Sequence, residues 1–103
     1  MILYVVSVVV PKNRADEWEA WMTKKHIADV VATGKFKSAR LLRVLIPEST
    51  SHIHFSVQYL AETIEQYDDY RIYFAPKLQA DHTAIFGTSV TASREVLEEI
   101  KVW

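Results

Sequence analysis

The segment Ile2–Val10, "ILYVVSVVV", constrains the fold more than any other stretch. Nearly every residue in it is apolar and most are β-branched or aromatic, so neither side reads as a solvated strand face. Such a run predicts a central strand covered on both sides. Pro11 ends it, because proline cannot donate to a ladder. The run lacks a positive start and a small-residue cleavage site, and charged residues follow from Lys12. It is therefore read as a strand of a cytoplasmic protein and not as a leader.

After Pro11, Asn13 is placed to cap a helix, with Asp16 three residues on as a short version of the capping-box acid and Gly34 as the left-handed stop. Phe36–Ile46 reads as a second strand and "PESTS", Pro47–Ser51, as a turn. His52–Leu60 alternates most clearly, with Ile53, Phe55, Val57 and Tyr59 on one face and His54, Ser56 and Gln58 on the other. Thr63, with Gln66 in the capping-box position, opens a second helical region. The residue before a proline resists the α conformation, so Pro76 divides that region into consecutive helices, the second closed by Gly87. "TSVTASREVL", from Thr88, is a fourth strand, and "EEIKVW" is its continuation or a tail.

The order β-α-β-β-α-β is the split arrangement of a ferredoxin-like α+β fold, with a four-stranded antiparallel sheet in a single domain over residues 1–103. Such a sheet puts both helical layers on one face. The bare face would then carry apolar residues of the first strand, at a cost of about 25 cal/mol per Å². A homodimer that pairs sheet to sheet relieves it.

Composition removes several function classes. Twelve Lys and Arg against thirteen Asp and Glu, without a basic stripe, argue against nucleic acid as a partner, and no segment suggests a membrane partner. The absence of cysteine removes disulfides and thiolate chemistry. Only Gly34 and Gly87 are glycine, so no glycine-rich phosphate cradle is available, and there is neither a GxSxG elbow nor an HExxH motif.

The opening "MILYVV", the segment "EWEAWMTKKHIADVVATGKF", the strand "VQYL" and the spaced pattern from Ala75 to Gly87 together resemble a bacterial family of short domains of unknown function. That family is similar to the dimeric α/β-barrel superfamily, alongside antibiotic-biosynthesis monooxygenase-like and EthD-like domains. The resemblance covers almost the whole chain and implies the fold, a homodimer and pockets between sheet and helices, without an assigned activity. The family tends to carry proline where this chain has Ala28. Within the wider superfamily an enzyme would be a cofactor-independent oxygenase or isomerase. Haem binding, known in some relatives, would need His26 or His82. No cofactor is expected.

On a helical wheel Trp18, Trp21, Met22, Lys25, His26 and Asp29 share one arc, with Ile27 and Val31 on the far side. Trp18, Trp21 and Met22 can be plain core, and Asp29 can be a structural partner of His26 or an arginine. The sharper reading gathers His26, Asp29, His82 and Arg40 at one end of the sheet. His26 then acts as acid or base, Asp29 orients it, and Arg40 stabilises an anion or enolate. Trp18, Trp21, Met22, His82 and Phe86 contact the ligand. Asp81 beside His82 makes a two-histidine, one-carboxylate metal site conceivable, but no spacing demands it and no metal is expected. The function expected is binding of a small, partly apolar molecule, with or without turnover. The alternative is a structural or regulatory dimerisation module without a pocket.

Overall fold

β1 (Ile2–Pro11) occupies the interior of a four-stranded antiparallel sheet of order β2-β3-β1-β4, in a computed structural model that describes residues 1–103. A 3-10 turn, Lys12–Arg14, leads into α1 (Ala15–Trp21), a π-helical turn (Met22–His26) and α2 (Ile27–Val31), which run on as one rod. Next come β2 (Ser38–Arg43), β3 (His52–Ala61), α3 (Ile64–Tyr73), α4 (Ala75–Phe86) and β4 (Thr91–Glu98). The ferredoxin-like order expected from the sequence is the order observed. No helix is long and apolar enough to cross a membrane.

The punctuation of the chain works largely as its residues dictate. Thr63 Oγ1 accepts the backbone N–H of Gln66 at 3.2 Å and opens α3. Pro76 stands in the first turn of α4. Gly34 and Gly87 both take positive φ, 79° and 56°, where a Cβ would be strained. Asn13, in contrast, caps nothing: the chain after Pro11 enters a 3-10 turn, and α1 begins without a side-chain cap. Strand β2 is shorter than the apolar run suggests, and Leu45 and Ile46 lie exposed in the following loop. The segment after Glu98 is a tail, tied to the sheet by the Glu99 N–H to the Met1 carbonyl.

The covering of β1 is one-sided within the chain. Ile2, Tyr4, Val8 and Val10 are buried beneath the helices with Phe55, Val57, Tyr59 and Ala61 of the neighbouring strand β3. Leu3, Val5 and Val9 face the other way and are only half-buried, and Ser7 is exposed. The expectation of cover on both sides therefore holds on one side, because each β-α-β crossover returns its helix to the same face. Along β4 every residue is exposed, since the helices lie over β1, β2 and β3.

Candidate functional site

The rod of α1, the π turn and α2 carries the residues that the helical wheel grouped, and the π turn redistributes them. In an uninterrupted α-helix the buried positions after Trp18 and Met22 would fall near 25, 26 and 29. The π turn admits one extra residue, so the buried stripe resumes at Ile27 and Val30. Thr23 sits in this wide turn with its hydroxyl donated to the carbonyls of Glu19 and Ala20, at 2.9 and 3.2 Å. His26 is left on the flank of the stripe, and Asp29 is turned to the surface.

At that flank a cavity of about 280 Å³ opens between the helices and the sheet. Trp18, Met22, His26 and His82 form its helical wall, with Gln79 and Thr83 also from α4. Tyr4, Val6 and Val8 of β1, Tyr59 of β3, and Ala92 and Arg94 of β4 form its floor. Trp21 and Phe86 stand one layer back. The Trp21 ring stacks on His26 with centroids 5.0 Å apart, and Phe86 packs on Trp21 and His82 at 5.5 and 5.0 Å. Arg14 lies over Phe86 at 4.7 Å and donates to the Ile85 carbonyl, which locks the start of α1 to the end of α4.

The histidines are held neutral for identifiable reasons. Trp18 Nε1 donates to His82 Nε2 at 2.9 Å, so that nitrogen is the acceptor and the ring proton resides on Nδ1. Burial first, and then the nearby Arg94 charge, pull the His82 pKa below its ordinary value. The His26 pKa is pulled from 6.5 to about 4, chiefly by burial and then by His82, against weaker opposing pulls from Asp29 and Asp81. His26 Nδ1 is sealed from solvent and has no hydrogen-bond partner. An unmet buried nitrogen of this kind costs about 1–3 kcal/mol.

The structure separates residues that the spacing had grouped. Asp29 is 2.8 Å from Lys25 Nζ at the surface and makes no hydrogen bond to His26. The Lys25 ammonium, beside it, draws its carboxyl below the usual carboxylate range. Arg40 is on the opposite face of the sheet, with its Nε donated to Gln58 Oε1 at 2.8 Å. It pairs in register with Gln58, which in turn pairs with Val5. His26, His82, Trp18 and Met22 do come together at one cavity. No cluster of three or more His, Asp and Glu side chains is arranged to hold a metal ion.

Sequence reasoning missed Tyr4 and Arg94. Arg94 Nε donates to the Tyr4 hydroxyl at 3.1 Å, across the β1–β4 ladder. Burial raises the Tyr4 pKa, with Arg94 working against that rise. A signal was present: a phenol inside an otherwise aliphatic central strand requires a polar partner for its hydroxyl.

No characterised protein matches the chain in sequence. In structure it is similar to a MhuD variant with two manganese protoporphyrin IX molecules bound per active site, with TM-score 0.72 and 19% identity over 100% of this chain and 98% of that one. It is also similar to an ethyl tert-butyl ether D (EthD) family protein from Bacillus halodurans, with TM-score 0.68 and 9% identity over 97% and 100% of the two chains. A candidate antibiotic biosynthesis monooxygenase from Bacillus cereus aligns with TM-score 0.61 and 12% identity over 99% and 97%. At these identities the likeness is one of fold, the ferredoxin-like arrangement of sheet and helices. Residues 1–100 match the domain of unknown function DUF4286, and the chain belongs to that family.

Proposed function

We propose that this domain binds a small, partly apolar molecule in the cavity between sheet and helices, and that it does so as a homodimer packed through the open faces of its sheets. The observation that carries the proposal is the pair of neutral histidines on an otherwise largely apolar wall, one of them with an unmet ring nitrogen. Buried polar groups are ordinarily satisfied, and a ligand or its water is the natural partner for one that is not. The half-buried Leu3, Val5 and Val9 and the wholly exposed β4 support the dimer. The rival, a dimerisation module without a ligand, calls for a filled core where an open cavity of about 280 Å³ lies.

If the bound molecule is turned over, cofactor-independent oxygenase or isomerase chemistry suits the site. His26, neutral at physiological pH, can take a proton from the ligand, and His82 can donate from Nδ1. Trp21, stacked on His26, takes over the orienting part that the spacing had given to Asp29. Arg40 belongs to the face where the second copy would pack.

The porphyrin of the MhuD-type neighbour does not fit the residues here. A cavity of about 280 Å³ lies at the small end for ligand pockets, with room for about one or two rings. His82 could offer Nε2 to iron only by giving up its hydrogen bond from Trp18.

The test is native mass spectrometry of protein purified from cells, with a denatured control. A dimer carrying a small molecule that is lost on denaturation, and lost from a His26→Phe variant, is expected. A monomer would overturn the dimer. With the exposed Trp103 replaced by Phe, a dimer whose tryptophan fluorescence no small quencher or ligand perturbs would overturn the pocket.

A further inference from the structure

The cavity has one formal charge in its lining, and that charge is unpaired. Arg14, Arg43 and Arg71 each have a carboxylate partner, in Glu17, Glu19 and Asp68. Arg94 has none: its one side-chain hydrogen bond goes to the neutral Tyr4 hydroxyl. It stands opposite Val6 in the ladder, on the same sheet face as Tyr4 and Val8, beneath which no acid lies. A guanidinium keeps its charge at all physiological pH and presents a planar fork of donors matched to a carboxylate. The other lining groups supply hydrogen bonds or apolar contact, and the two histidines are uncharged.

We propose that Arg94, supported by the Tyr4 hydroxyl, anchors the carboxylate of a small organic monoanion whose ring lies against Trp18 and Met22. The inference rests on the reading of this cavity as a ligand pocket and names the class of ligand. A single cation matches a single negative charge, and a cavity of about 280 Å³ with aromatic and thioether walls matches one ring or a compact pair of rings. The carboxylate replaces water on the guanidinium, and Tyr4 holds the fork in place by accepting from Nε. The far end of the ligand then meets His26 and His82, whose neutrality removes any rival cation for the acid. The anion therefore has one orientation available.

The experiment compares acids with their neutral isosteres: benzoate with benzamide and phenylacetate with phenylacetamide. Binding is read by tryptophan fluorescence and calorimetry on the wild-type chain, Arg94→Gln and Tyr4→Phe. The acid of each pair is expected to bind about tenfold more tightly than its amide. Arg94→Gln abolishes that preference, with an unchanged unfolding midpoint showing that the variant is folded. Tyr4→Phe weakens the acid by about threefold, more than it weakens the amide. Acids and amides binding equally, or a preference that survives in Arg94→Gln, would overturn the anion assignment alone. Silence from both members of both pairs would overturn the pocket reading and this proposal with it.

Discussion

Two aromatic clusters lie under the same helices, and they solve different problems. Tyr4, Phe36, Tyr59, Tyr67 and Tyr70 stack on one another with centroids 4.9–6.1 Å apart. Trp18, Trp21, His26, His82 and Phe86 form a second cluster with similar spacings. The first is mostly closed: Tyr59 and Tyr70 are buried, and burial drives both phenols far above their usual pKa. The second contains ring nitrogens held uncharged by burial and makes the polar part of the cavity wall, where the first contributes Tyr4 and Tyr59 to the floor. Aromatic rings at helical spacing are therefore compatible with either outcome, and the nitrogens tell the two apart.

The sharpest way to break this contrast is truncation. Tyr59→Ala removes a side chain that is 2% exposed and is expected to cost about 4 kcal/mol in urea denaturation, whereas Trp21→Ala, half-buried, costs less than half of that. Equal losses would mean that the second cluster is as much a filled core as the first.

Acid titration sharpens the comparison next. His26 titrates near 6.5 when unfolded and at about 4 when folded, so above pH 6.5 both states are neutral and no difference arises. Between pH 6.5 and 4 the unfolded chain takes up a proton that the folded chain refuses, and stability falls. With a discount for partial solvent access, the loss is about 2 kcal/mol. Stability of the wild type minus that of His26→Gln, followed against pH, should show this slope. A flat difference would show that His26 is solvated.

A smaller effect tests the tautomer. Trp18→Phe deletes the N–H donated to His82 Nε2, so the His82 pKa should rise in an NMR titration, with a stability loss of about 1–2 kcal/mol. An unmoved His82 would sink the assignment of its proton to Nδ1. The smallest expected effect is that of Asp29→Asn, which should leave the unfolding midpoint where it was, because its partner is the exposed Lys25, and lower the His26 pKa only slightly by removing a weak opposing pull. A large fall in the His26 pKa would restore the pairing read from the sequence.

Much of the fold was legible because its signals are local. The doubly apolar run of β1, the Thr63 cap, the break at Pro76 and the glycine at 87 each act within a turn or a strand. The site was less legible, for two distinct reasons. The π turn leaves no mark in a 3.6-residue pattern, yet it moves Asp29 to the surface and puts Val30 where Asp29 was expected. In β2 the alternatives Arg40, Leu42, Val44 and Leu41, Arg43, Leu45 are equally mixed, so one residue of register decides which face Arg40 joins. Arg94 reads as an ordinary edge-strand charge until the ladder brings β4 beside Tyr4.

The wide turn at Met22–His26 also makes this helix a counted object. Side chains at Thr23, Lys24 and Lys25 are exposed, and their number is one more than a regular helix would hold there. Removing one of them would restore a regular helix and carry Ile27 and Val30 into the places of residues 26 and 29, which an uninterrupted helix buries. Asp29 would stay on the surface, with Val30 and Ile27 still against the core. Descendants of this chain can thus lose a residue along that stretch at little cost to the core, while an added residue that no second wide turn absorbs would swing α2 by about 100° and turn Val30 out of the core.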